Sequence, residues 1–232
     1  MLMALAIFHN RLNNRLTVIA AYESGHTTVH ALLSPGTHDW VTTYRSKAHT
    51  QPILSLDMLP DQSAYFTSGA DAVIARHPLL NDDHDLRDGQ SAPTLLHTGH
   101  AGQQALRVRG DGHVLATAGW DGRVRVYAAG RNRSIVNDLR ELAVLRWHKE
   151  GCYAVAFGDV GAKTTIEVQA TRVSGGGGNE EGESEEGEQQ VASLESSHSL
   201  TTARQRRGAR AQTTHWLAAG SKDGKVSLWD IY

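Results

Sequence analysis

The chain is predicted to be all-β, built from small antiparallel sheets repeated about four times. Three observations predict it. Short runs of alternating or β-forming residues are punctuated throughout by turn residues, as at Asp111-Gly112 and Asp121-Gly122. Ser24, Asp71, Asp121 and Asp223 fall at equivalent turns, separated by 47, 50 and 102 residues, the last being about one period plus an insertion. From each of them the distance to His30, His77, Tyr127 or Trp229 is six residues. A fixed period near 50 with a fixed internal offset marks a repeat architecture, in which stacked neighbours bury faces that no unit buries alone.

The elements follow in order. In unit 1–47, strands are expected at 2–7, 16–21, 27–32 and 40–44, with turns at 11–15, Ser24-Gly25 and Pro35-Gly36. Because Met1 falls inside a strand and no opening His precedes it, this first unit is expected to be partial. Unit 48–97 has strands at 53–58, 64–68, 73–77 and 94–96, with a polar loop over 78–92. Unit 98–147 opens at Gly99-His100 and carries strands at 114–118 and 123–127. Its outer strand, at 143–147, follows a loop that leaves room for a helical turn. Unit 148–232 has strands at 152–157, 216–219 and 226–229, interrupted by an insertion over 160–213. Within it, 174–190 (SGGGGNEEGESEEGEQQ) has no apolar residue, so it cannot offset the cost of ordering its backbone and is expected to be disordered. The insertion and the loops at 78–92 and 129–141 fall on one face of the stack, where a binding face is often found.

The Gly-His opening, the Asp turn and the aromatic six residues later form the WD40 pattern, one blade of a β-propeller per unit. In such a blade the turn Asp accepts hydrogen bonds from the opening His, and a second-strand hydroxyl and a third-strand aromatic extend the network. In the second unit the set is His49, Thr67 and Asp71, with His77 at the aromatic position. The third has His100, Thr117, Asp121 and Tyr127; the fourth has His148, Asp223 and Trp229, with Ala219 where the hydroxyl belongs. A buried carboxylate needs such partners, so these residues are read as fold-specifying rather than catalytic.

Other chemistry is thin. His26 and His30 on one strand lie roughly 13 Å apart, at about 3.3 Å per residue, too far to share a metal. The single cysteine, Cys152, excludes a disulfide within the chain and reads as a small core residue. Phosphate-loop, dinucleotide, nucleophile-elbow and HExxH motifs do not occur. No catalytic residue, cofactor or metal is expected. Residues 175–190 hold six Glu, and 204–210 hold four Arg; without these the chain has 19 acids and 19 bases. That neutrality argues against direct nucleic-acid binding. The Arg cluster reads either as a nuclear-import signal or as a solvated loop. No apolar run reaches the length of a membrane span, and the short apolar start lacks the features of a signal peptide, so no membrane partner is expected.

Two segments carry a closer resemblance. MAL (3–5) followed by LTVIAAYESG (16–25), and WLAAGSKDGKVSLWDIY (216–232), resemble the ASTRA-associated protein 1 family of WD40-repeat proteins, whose animal relatives are called guanine-nucleotide-binding β-subunit-like protein. The tail AAGSKDGKVSLW is the most specific part. The resemblance implies a nuclear scaffold, present also in the cytoplasm, in the multisubunit ASTRA assembly. It implies roles in chromatin remodelling and, with co-chaperone factors, in maturation of phosphatidylinositol-3-kinase-related kinases. It brings no catalytic residues. It also implies a propeller of about seven blades, so the four here are expected to be the C-terminal part of a larger propeller, with two apolar blade faces exposed. The alternative is a substrate adaptor of a cullin ubiquitin ligase, which expects Trp-Asp-x-Arg at a blade end; Trp229-Asp230-Ile231-Tyr232 has Tyr in place of Arg.

Overall fold

The computed structural model describes residues 1–34, 36, 38–79, 92–129, 139–158, 207–208 and 213–231. The strands lie in the unit formed by 1–159 and 215–232. The expected disorder at 174–190 and the expected helical turn after residue 130 lie outside the described residues.

Fifteen strands are described. The first sheet holds β1 (Leu2–His9), β2 (Leu16–Tyr22), β3 (His26–Leu32) and β4 (Trp40–Lys47), each antiparallel to the next. Its four strands fall where the sequence of unit 1–47 places them. The second sheet holds β5 (Ile53–Met58), β6 (Ala64–Gly69), β7 (Val73–Pro78) and β8 (Thr94–His97). The third holds β9 (Gln103–Val108), β10 (Val114–Gly119), β11 (Arg123–Ala129) and β12 (Leu139–Arg146), and the fourth β13 (Cys152–Phe157), β14 (Trp216–Ser221) and β15 (Val226–Asp230). This is the all-β propeller architecture: successive sheets in chain order, with β1 packed against β5, β5 against β9 and β9 against β13.

The tight turns follow from local chemistry. Gly25 holds φ +77°, a left-handed conformation that only glycine adopts freely. A Cβ there would collide with the backbone carbonyl of His49, so the first sheet's turn abuts the strand entry of the second.

A separate apolar core fills each gap between sheets. Ile19, Val29, Tyr44, Ile53 and Tyr65 fill the first gap. Phe66, Ile74, Leu106 and Leu115 fill the second. Val126, Cys152, Val155 and Leu217 fill the third. Each fully buried Leu or Ile contributes on the order of 1.5–3 kcal/mol by leaving water. Every residue of β6 and of β10 is buried, because their sheets have neighbours on both sides. β1 instead exposes Leu2, Leu5 and Ile7, and β15 exposes Val226 and Leu228.

Candidate functional site

The polar networks expected at each turn take four different forms. In the second sheet, His49 Nδ1 lies 2.8 Å from Asp71 Oδ1, and His49 Nε2 lies 2.8 Å from Thr67 Oγ1. Thr67 Oγ1 is 2.9 Å from His77 Nε2, and His77 Nδ1 is 3.2 Å from the Tyr44 hydroxyl on β4. With neutral imidazoles, every proton in this chain is assigned. Tyr44 donates to His77, His77 to Thr67, Thr67 to His49, and His49 to the Asp71 carboxylate, which also accepts from Thr50 N. The network spans two sheets and ties the outer strand of the first to the core of the second. The Tyr65 ring stacks on His77 at 4.7 Å, while its hydroxyl lies 3.2 Å from Thr27 Oγ1.

Burial, with the nearby His49, pushes the His77 pKa from 6.5 down to about 3. Between those values the unfolded chain binds the proton and the fold does not. The stability contributed by neutral His77 is therefore complete above about pH 6.5 and is lost progressively toward pH 3. Denaturant midpoints measured from pH 7 to pH 3.5 are expected to show this acid-side decline, and His77→Phe is expected to flatten it.

The third sheet departs from expectation. His100 does not hold Asp121. Among the described residues, the Asp121 carboxylate is held by the Arg125 guanidinium, with Nη2–Oδ2 at 2.6 Å and Nη1–Oδ1 at 3.2 Å, and by Arg123 N. Arg125 is 1% exposed, and its Nε faces Glu141 at 3.7 Å. Desolvation raises the Asp121 pKa, but the hydrogen bonds and charge of Arg125 outweigh it and hold the pKa below its usual value. Thr117 and Tyr127 are both buried, and neither hydroxyl reaches the Asp121 carboxylate.

The fourth sheet departs too. His148 Nε2 bonds Ser227 Oγ at 2.8 Å, not Asp223, and Trp229 Nε1 donates to the same oxygen at 2.9 Å. Asp223 is instead held by Lys225, through Nζ at 2.7 Å and its backbone N at 3.2 Å, which keeps the carboxyl down at about 2. In the first sheet, Thr28 Oγ1 lies 2.8 Å from His30 Nε2, and His30 Nδ1 lies 3.0 Å from Thr42 Oγ1.

Sequence reasoning missed Thr28, Arg125 and Ser227. All three sit four residues after the turn residue, on the third strand. The ladder pairs that position with the second-strand site: Ala20 with Thr28, Thr67 with Ala75, Thr117 with Arg125, and Ala219 with Ser227. The hydroxyl absent at Ala219 is thus supplied directly across the ladder by Ser227. The missing signal was a hydroxyl residue at turn-plus-four, Thr28 or Ser227, in the two blades with alanine, Ala20 or Ala219, at the second-strand position. Ser227→Ala is expected to cost about 1–2 kcal/mol, because it removes the hydroxyl that the half-buried His148 and Trp229 both bond. Adding Ala219→Ser is expected to recover part of it, read from urea midpoints of the single and double variants.

These groups are spent on holding blades together. Among the described residues no group of His, Cys, Asp or Glu could hold a metal ion. Cys152 is fully buried, and desolvation, then the charges of Asp121 and Asp223, raises its thiol pKa to about 11, so it is no nucleophile at neutral pH. Among the described residues, no helix is long and apolar enough to cross a membrane.

The comparisons with known proteins agree with this geometry. A WD40 family model, "WD domain, G-beta repeat", matches residues 93–128 and 211–230. An ASTRA-associated protein 1 of Aspergillus flavus is 42% identical over 244 residues, covering 100% of this chain and 51% of its own length. The one from Verticillium alfalfae is 42% identical over 233 residues, covering 100% of this chain and 50% of its own. The one from Schizosaccharomyces pombe is 36% identical over 163 residues, 67% of this chain and 42% of its own. The chain spans about half the length of the first two of these relatives. With four sheets in propeller order and similarity along its whole length, this chain is a WD40-repeat relative of the ASTRA-associated protein 1 family.

Proposed function

We propose that the chain acts as a non-enzymatic scaffold in the ASTRA assembly, binding other protein subunits through its blade surfaces. The observation that carries this is the 42% identity, over the whole chain, to proteins that bear the name ASTRA-associated protein 1. The structure agrees with it, since the titratable clusters are committed to inter-strand bonds and large apolar side chains such as Trp120 and Trp147 remain exposed. The proposal includes the roles the resemblance implies, chromatin remodelling and kinase maturation, and residence in the nucleus and cytoplasm. The cullin-adaptor alternative gains nothing from the comparisons.

The test is affinity purification of the tagged chain from fungal cells, followed by mass spectrometry, with the Aspergillus flavus relative as reference. ASTRA subunits are expected with both baits. Their absence with this chain, where the reference recovers them, overturns the proposal. Imaging of the tagged chain is expected to show nuclear signal.

A further inference from the structure

Two sheet faces lie open to water, and each repeats a face that is covered elsewhere in the chain. On the fourth sheet the open face is made of two cross-strand rows, Ala154 with Gly220 and Val226, and Ala156 with Ala218 and Leu228. Counted from the turn residues Asp121 and Asp223, these rows match Ala105, Ala118 and Val124, and Arg107, Ala116 and Val126, on the third sheet. There the positions are covered. Ala116, Ala118, Val124 and Val126 pack against Val155, Leu217 and Ala219 of the fourth sheet.

On the first sheet the open face has the rows Leu5, Ala20 and Thr28, and Ile7, Val18 and His30. Counted from Ser24, they match Val155, Ala219 and Ser227, and Phe157, Leu217 and Trp229. Those are the rows with which the fourth sheet covers the third. The likeness extends to the polar groups. Thr28 Oγ1 lies 2.8 Å from His30 Nε2, as Ser227 Oγ lies 2.9 Å from Trp229 Nε1. In both sheets the hydroxyl four residues past the turn meets the ring nitrogen two residues further on.

Neither open pair of rows contains an Asp, Glu, Lys or Arg. Arg45 extends the first-sheet row at the outer strand, where the three-stranded fourth sheet has no described strand to oppose it. Its charge would stay in water at the rim. The first sheet's open face is thus suited to the fourth sheet's as the fourth sheet's covered face is to the third's. A single copy does not bring them together, since Leu5 and Ile7 are 56% and 63% exposed and Val226 and Leu228 are 69% and 62% exposed.

We propose that they meet in a second copy of this chain. The fourth sheet of each copy packs on the first sheet of the other, so two copies join head to tail at two junctions. Four sheets from each copy make a ring of eight, within the usual range of blade numbers. A heterologous contact that closes leaves no face free, whereas one that does not close runs on into a filament. The proposal goes beyond the scaffold reading and does not depend on it.

The test is sedimentation velocity of the full chain over a concentration series. A species of two chains is expected. Two variants attack the junctions from opposite sides: Leu5→Glu with Ile7→Glu, and Val226→Glu with Leu228→Glu. Each alone is expected to weaken pairing roughly a hundredfold, because a junction would then bury unpaired charge. Mixing the two is expected to restore a pair, since the intact fourth sheet of the first variant still meets the intact first sheet of the second. Threonine at the same four positions, polar and strand-forming, gives the same comparison should a glutamate variant fail to fold. The proposal is overturned if the wild type sediments as a single chain, which leaves these faces to a different protein, or as an open series of larger species. It is equally overturned if either variant alone stays paired, or if the mixed variants stay single. No ASTRA component enters the assay, so its failure leaves the scaffold reading standing.

Discussion

His49→Leu is expected to lower the unfolding free energy by about 3–5 kcal/mol, the cost of removing one partner from a buried, hydrogen-bonded pair. The imidazole is 1% exposed and bonds both Asp71 and Thr67. Leucine has similar bulk, so the loss comes from polarity rather than from a cavity. The Asp71 side chain, 9% exposed, would lose the imidazole and retain the Thr50 amide. Thr67 would lose its acceptor, and the order of donors running back through His77 to Tyr44 would no longer be fixed. Because Tyr44 belongs to the first sheet, packing between the first and second sheets should loosen together with the second-sheet turn. Equilibrium denaturation gives the magnitude. Hydrogen exchange is expected to show lost protection in β4 as well as in β6 and β7.

Arg125→Ala is expected to cost a similar amount, about 3–5 kcal/mol, for two separable reasons. One is the void left by the largest of the fully buried side chains. The other is the loss of the fork that holds Asp121. Arg125→Met separates them. Methionine fills most of the volume, and the Asp121 side chain is 34% exposed, so water can replace part of what the guanidinium supplied. Its expected cost is about 1–2 kcal/mol. Urea titrations of the two variants side by side decide the matter: equal losses would show that the ion pair carries the whole effect and packing none.

The two variants also mark how far the sequence could be read. His49, Thr67 and Asp71 follow the repeat spacing, and the structure brings them within 2.8 Å of one another through the two imidazole nitrogens. Arg125 was hidden in Arg123-Val124-Arg125, an alternation that reads as one buried residue between two solvated ones. Whether such a face meets water depends on the neighbouring sheet. β11 lies in a sheet flanked on both sides, so its outward-looking alternation is buried on both faces. Once a guanidinium is buried beside Asp121, its fork outcompetes a single imidazole donor, and His100 is left aside. Ser227 was hidden differently: a count along the chain registers a missing hydroxyl at Ala219, but it does not register the strand across from it.

The sequence by itself determined what is periodic and local: four units, their turns at Ser24, Asp71, Asp121 and Asp223, and the strands between. Turn chemistry and alternation act over a few residues and are written in order along the chain. The tertiary structure alone decided which partner each turn residue or opening histidine takes. Those outcomes depend on cross-strand register and on packing between sheets, where groups far apart in sequence compete for the same buried charge.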